Sequence, residues 1–286
     1  MKSVWQHVTW ATLVFAIGCG EDASKKTNND DEGTDSENGT DDDSNGSDDF
    51  LSHFGECPED HAPDAPALRV TGFVPTSPKA FEDIGAGVQT AVDSGSTIYL
   101  LAIEKSDDDT ADGELGLTEG PDEDGKYSFE GESESLSFDF DGERFTSDGE
   151  ATIELSIPVF VGDPLSLSMY DVVMEGEFED DDHCAIGELE GEGPPSEWRT
   201  GGSLSGKLTV KETKEASIEI ENPVPASFSL CAYFAYGLSN ISKIVLDPDC
   251  EAEPEDWVNP PDAVTSDGED AWLISADIAA TAVSMK

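Results

Sequence analysis

Two acidic stretches carry residue types and spacings that could hold a metal ion. From Asp108 the chain reads Asp-Asp-Thr-Ala-Asp-Gly-Glu-Leu-Gly-Leu-Thr-Glu, ending at Glu119. This nearly fits a calcium loop, in which carboxylate and carbonyl oxygens gather around a tight glycine turn. Asp108, Asp112, Gly113 and Glu119 fall in place, Leu115 is apolar where such loops tend to be, and Thr110 departs at the third position. A strand-like segment precedes and Pro121 and Gly125 follow, so the expectation is a lone loop without flanking helices. The second stretch, Asp247-Pro-Asp249-Cys-Glu251, alternates carboxylates as calcium loops between strands do. Ca2+ is therefore the candidate ligand, with Asp108, Asp112, Glu119, Asp247, Asp249 and Glu251 as candidate donors. The competing reading is a solvated acidic surface, because 65 of 286 residues are Asp or Glu and chance matches are expected.

Thiol and imidazole chemistry is the other possibility. Cysteine occurs at Cys19, Cys57, Cys184, Cys231 and Cys250. Setting Cys19 aside leaves an even four, which in an exported chain means two disulfides with three possible connectivities. The favoured pairing is Cys231–Cys250, closing a short loop, and Cys57–Cys184, pinning the start of the domain to its middle. Zinc is the alternative, since His53, Cys57 and His61 are spaced by four and His183 adjoins Cys184. Gly55, Pro58 and Pro63 oppose a helix that would bring the first three together.

Sequence motifs of nucleophilic, phosphate-binding, dinucleotide-binding and zinc-hydrolase sites are absent. Hydrolysis by paired carboxylates carries no short motif and stays open.

Charge narrows the function classes further. The formal net charge is −51. From Phe50 onward there are 53 acidic and 11 basic residues, net −42. Nucleic acid is thereby excluded as a partner, because phosphate recognition needs a basic footprint. Self-repulsion at this charge opposes a compact state unless salt or cations screen it.

The first 49 residues read as an address. Lys2 precedes an apolar run from Val8 to Ile17, long enough for a secretory signal and too short to span a bilayer. Gly18 and Cys19 follow, and then Glu21 to Asp49 carries twelve acidic and two basic residues among Ser, Thr, Asn and Gly. Such a tract buries too little apolar surface to offset its ordering entropy, so a disordered tether is expected. The Gly18-Cys19 junction resembles the signal peptide of a bacterial lipoprotein, with Ala16 where that family usually carries Leu. The resemblance implies cleavage before Cys19, diacylglycerol on its sulfur and acylation of the new amine. With Gly20 rather than Asp next, it also implies the outer membrane or cell surface. The other reading is an ordinary cleaved signal. An acidic tether after such a junction is similar to that of uncharacterised surface lipoproteins of the myxobacterial type. The segments GGSLSGKLTV and SIEIEN are loosely similar to C-terminal parts of the same group.

The elements after the tether read as strands. Leu68–Val74 is a first strand and Thr97–Glu104 a central one. Gly85–Gly87 reads as loop, with a helical turn near Lys79–Ile84, and Ser106–Gly125 reads as an acidic loop. Lys126–Glu130 and Leu136–Phe140 follow as strands. Asp141-Gly142 marks a hairpin before ERFTS. Ile153, Leu155, Ile157 and Val159 alternate with polar residues, and Pro158 marks an edge or a bulge. The apolar parity of Leu165, Leu167 and Met169 flips at Val172 and Met174, which places a β-bulge near Tyr170–Val172. Ala185–Glu190, Leu204–Val210 and Ser217–Glu221 are strands, Gly191–Gly202 is loop and Lys211–Ala216 is a helical turn. Ala226–Leu238 is consistent with strand or helix. Asp247–Asp262 is loop, and alternation from Trp272 to Ala282 gives a last strand.

These readings give a lipoprotein signal at 1–18, a lipidated cysteine and tether at 19–49, and an acidic all-β domain at 50–286. The expected architecture is an antiparallel β-sandwich or partly open barrel with at most short helices. The expected role is binding or structural rather than catalytic, with calcium dependence possible through the acidic loops. The partner in hand is the membrane, through the lipid. The alternative is a carbohydrate-active enzyme using paired carboxylates.

Overall fold

The computed structural model describes residues 51–105, 109–131, 133–157, 164–191, 193–220 and 226–286. The chain divides into units Met1–Asp43 and Ser44–Lys286, and all described residues belong to the second. Cys19, the tether, Asp108, Pro158 and Val159 lie outside the described residues.

In chain order the strands are β1 (Ala67–Ser77), β2 (Tyr99–Lys105), β3 (Thr110–Leu117), β4 (Glu134–Asp141), β5 (Arg144–Ser147), β6 (Ala151–Ile157) and β7 (Leu165–Glu177). They continue as β8 (Ala185–Ile186), β9 (Glu188–Gly191), β10 (Glu197–Arg199), β11 (Gly202–Thr209), β12 (Ser217–Ile220), β13 (Ala226–Ser229), β14 (Ala263–Val264) and β15 (Asp270–Ala282). Among the described residues, five short α-helices intervene: α1 (Lys79–Glu82), α2 (Gly85–Asp93), α3 (Val210–Glu215), α4 (Leu230–Tyr236) and α5 (Ile241–Leu246).

Hydrogen bonding runs β1-β2-β3-β4-β5-β7-β11-β15, every neighbour antiparallel, and β15 returns to β1. This is the all-β antiparallel class expected, with the strand path of a partly open barrel. The opening lies between β1 and β2, which share only Ala67↔Ala102, Leu68↔Leu101 and Arg69↔Leu100. Beyond Arg69 the free edge of β1 is covered by α2. There the Phe73 amide donates to Gln89 Oε1 at 2.8 Å, and Gln89 Nε2 donates to the Thr71 carbonyl at 2.7 Å. One side-chain amide thus replaces a neighbouring strand, as buried backbone groups require.

Period-two patterning sets the interior. Ile153, Leu155 and Ile157 of β6 are buried, as are Leu167, Met169, Val172 and Met174 of β7. The parity flip is the bulge anticipated: Ala151 pairs Val172 while Ile153 pairs Met169, leaving one extra residue on β7. Asp171 sits in it at φ 50°. On the opposite edge Gly206 gives room, since a Cβ there would lie 2.5 Å from Met169 Cγ. The hairpin after β4 also forms, one residue on from its expected centre. Asp141 pairs Arg144, so Gly142 (φ 67°) and Glu143 make the turn.

Four segments depart from the sequence reading, the first being Glu197–Arg199, which is strand β10, paired with β9, inside the stretch read as loop. Gly85–Gly87 opens helix α2 rather than a loop, because Val88 and Val92 pack into the core beside Phe81. Thr110–Leu117, read as a calcium loop, is strand β3, hydrogen-bonded to β2 and β4 along its length. Gly113 is there for packing, not turning: a Cβ would lie 2.5 Å from the Phe138 ring and 2.9 Å from the Ala102 carbonyl. Lys126–Glu130 makes only an isolated bridge, Tyr127 to Met285. In Ala226–Leu238 both readings hold in turn, strand β13 then helix α4. The switch falls where the Ser229 hydroxyl accepts the Ala232 amide at 3.1 Å as an N-cap.

The lead-in from Leu51 is fastened to the barrel side. Phe54 packs edge-on to Trp198 at 4.8 Å, and the Gly55 amide donates to Thr281 Oγ1 at 2.9 Å. The Cys57–Cys184 bond spans 127 positions with Cα atoms 5.3 Å apart. Beside it, buried His183 is held between the Pro63 carbonyl and the Glu143 carboxylate, each at 2.6 Å.

Candidate functional site

Outward side chains of β5, β7, β11 and β15 line an open groove of about 730 Å³. Its floor follows from register. Thr146 pairs Glu175, Glu175 pairs Ser203 and Ser203 pairs Asp277, so four polar side chains stand in one row across four strands. Neighbouring strands are about 4.8 Å apart, which sets Glu175 and Asp277 about 10 Å apart at the backbone with the Ser203 hydroxyl between them. The next row begins with Arg144 opposite Glu177, joined by Nε to Oε2 at 2.8 Å.

The far wall comes from the small β9–β10 ribbon. It lies close because two glycine backbones touch: a Cβ on Gly201 would sit 2.5 Å from the Gly187 nitrogen. This approach aims Arg199 at the groove, where its guanidinium bonds Glu188 at 2.6 and 3.1 Å and faces Glu179 at 3.7 Å. The Glu188 hydrogen bond, then the Glu179 charge, raise the Arg199 pKa further above its ordinary value. Arg144, Arg199, four carboxylates and the hydroxyls of Thr146, Thr200 and Ser203 therefore surround one polar trough. Such a lining offers hydrogen-bond donors and acceptors of the kind that a polar, hydroxyl- or amine-bearing molecule can match.

The calcium expectations meet a different geometry. Asp112 lies on the exposed face of β3, with Glu104 and Ser137 as its cross-strand neighbours, and Glu119 follows the strand's end. A strand splays alternate side chains to opposite faces and cannot wrap an ion as a loop does. Asp247 is a structural keystone. Its Oδ1 accepts the Glu251 amide at 2.7 Å, and its Oδ2 accepts the Tyr236 hydroxyl at 2.6 Å and the Ala252 amide at 3.2 Å. Burial works against the charge of Asp247, but these bonds prevail and hold its pKa below the ordinary value. Burial, helped by Asp247, pushes the Tyr236 hydroxyl up to about 12. Asp249 and Glu251 stay exposed beside it. Among the described residues, neither set brings three carboxylate oxygens within 4.8 Å of one another.

Both disulfides take the favoured pairing, Cys57–Cys184 and Cys231–Cys250. Among the described residues, Cys57, His61 and Cys184 alone bring three His, Cys, Asp or Glu ligand atoms within 4.8 Å of one another. Their sulfurs are joined to each other, His61 Nε2 is bonded to the Asp182 carbonyl at 2.6 Å, and both His183 nitrogens are engaged. Sulfurs joined in a disulfide cannot ligate zinc as thiolates, and one histidine remains, so this cluster does not fit it.

Sequence reasoning missed the groove, because Arg144 and Asp277 are far apart in the chain. One signal was available: arginine occurs only three times, and two of the three are here.

No family model matches the chain, and neither the curated proteins nor the solved structures give a match.

Proposed function

We propose that the protein is a lipid-anchored envelope or cell-surface protein, held through Cys19 at the outer membrane or cell surface, whose barrel serves a binding role. The observation that carries the binding part is the polar row Thr146-Glu175-Ser203-Asp277, flanked by Arg144 and Arg199 in one groove. The anchoring part is supported by the two disulfides, which suit an oxidising compartment, and by the position of Cys19 after the apolar run. Two or three acyl chains, at roughly 0.8 kcal/mol per buried CH₂, hold such a protein stably. No helix among the described residues is long and apolar enough to cross a membrane.

The carbohydrate-active alternative would draw on the same groove, with Glu175 and Asp277 as its carboxylate pair. Membrane fractionation of Cys19→Ser tests the anchor: release into the soluble fraction supports it, and unchanged retention defeats it. A glycan array probed with the soluble Cys19→Ser chain tests the groove. Binding lost in Ser203→Trp, which fills the trough, supports a binding role. Time-dependent shortening of a bound glycan, abolished by Glu175→Gln, would move the assignment to hydrolysis.

A further inference from the structure

Beyond the groove, the segment 238–246 carries an apolar ridge that no other part of the described chain covers. Leu238 lies in a short 3-10 turn, Leu238–Asn240, that leads into α5, where Ile241 and Val245 share one face at the i, i+4 spacing and Leu246 follows. Their exposures are 37, 40, 70 and 84%. Ile244 of α5 is buried at 1%, whereas Ile241, Val245 and Leu246 of the same helix face solvent. Exposed aliphatic residues grouped in this way mark an interaction surface.

What borders the ridge identifies the partner. The chain leaves Leu246 directly into 247–256, where Asp249, Glu251, Glu253, Glu255 and Asp256 are exposed. This acidic segment is held in place. The Cys231–Cys250 bond ties it to α4, with Cα atoms 6.0 Å apart, and Asp247 is fixed by the Tyr236 hydroxyl and two amides. The lysine on α5, Lys243, lies over the Tyr236 ring at 5.8 Å to its centroid. A rigid aliphatic ridge with an acidic border complements an apolar stripe edged by Lys or Arg. An anionic lipid surface is repelled by the border, and a second copy would bring two such borders together in a chain of net charge −51.

We propose that the ridge Leu238-Ile241-Val245-Leu246 and its acidic border form a docking site for a basic amphipathic helix of a partner protein. It shares no residue with the groove.

The probe is a labelled 18-residue Leu/Lys amphipathic helix, with a Ser/Lys peptide of equal charge as control. Both are titrated by fluorescence anisotropy against the exported Cys19→Ser chain in 0.15 M NaCl. The expected result is at least tenfold tighter binding of the Leu/Lys peptide. Val245→Ser with Leu246→Ser should remove that preference without changing the melting temperature, since both residues are exposed. Glu253→Lys with Glu255→Lys should weaken binding of both peptides severalfold. Equal affinity for the two peptides overturns the proposal, as does unchanged affinity in the serine variant. It is also overturned if the serine substitutions abolish a dimer seen by light scattering, or flotation with anionic vesicles; either result assigns the ridge to another occupant.

Discussion

Gln89 and Phe73 meet as a strand would meet its neighbour: the Phe73 amide donates to the Gln89 side chain at 2.8 Å, and the same side chain returns a bond to Thr71. Gln89 is 4% exposed. Its second amide bond reaches Asp93 at 2.8 Å, and Asp93 in turn accepts the Ser196 amide at 2.8 Å. Replacing Gln89 with Leu keeps the bulk but leaves a buried N–H and C=O unpaired, at about 2–4 kcal/mol. Urea denaturation should show that loss. A variant as stable as the parent would mean that β1 does not depend on α2 for its edge.

Gly113 tests whether β3 is a strand or a turn. Ala at this position places a methyl group against Phe138, itself 2% exposed, and against the Ala102 carbonyl. Overpacking of this kind costs about 1–3 kcal/mol. The expected outcome is a lower melting temperature that is identical with and without calcium.

Asp171 gives stability a pH dependence at low pH. The Lys207 ammonium, bonded at 2.9 Å, is the main cause of its lowered pKa, and burial opposes it. Its Oδ2 also accepts the Ser266 amide at 2.9 Å. A carboxylate whose folded pKa is depressed stabilises above its ordinary value, 3.8, and loses that contribution as pH falls through the folded pKa. Asp171→Asn suits the left-handed backbone here and should destabilise by about 1 kcal/mol at pH 7. The difference from the parent should shrink below pH 4. A difference constant from pH 7 to pH 2 would rule out an electrostatic role.

Cys231–Cys250 closes a loop of 19 positions. Restricting the unfolded chain in this way contributes about 3 kcal/mol, so Cys231→Ser with Cys250→Ser should lose that much. Alkylation of the unreduced Cys19→Ser chain, followed by mass measurement, should label no cysteine. Four labelled thiols would contradict both bonds.

Salt and calcium should act differently. Folding concentrates a net charge of −42 from Phe50 onward, and the Debye length shrinks from about 30 Å at 0.01 M to about 3 Å at 1 M. Melting temperature should therefore rise with sodium chloride. At fixed ionic strength calcium should add nothing further, because Asp247 is occupied and Asp112 lies on a strand. A calcium-specific rise that vanishes in Asp249→Ala would restore the loop site.

Patterns that repeat every second residue were readable from the sequence because they need only one strand and one buried face. Hence the parity flip at Asp171 located the bulge, the alternation from Trp272 located β15, and the even cysteine count agreed with the bonds formed. Gly113 misled because glycine serves a turn and a tight packing site equally well, and only Phe138 on the neighbouring strand selects between them. Gln89 gave no local sign, since its partner is the free edge of β1, left by a three-pair contact between β1 and β2. The groove was decided by register alone: pairing β5, β7, β11 and β15 brings Thr146, Glu175, Ser203 and Asp277 into one row, although no stretch of sequence contains them together.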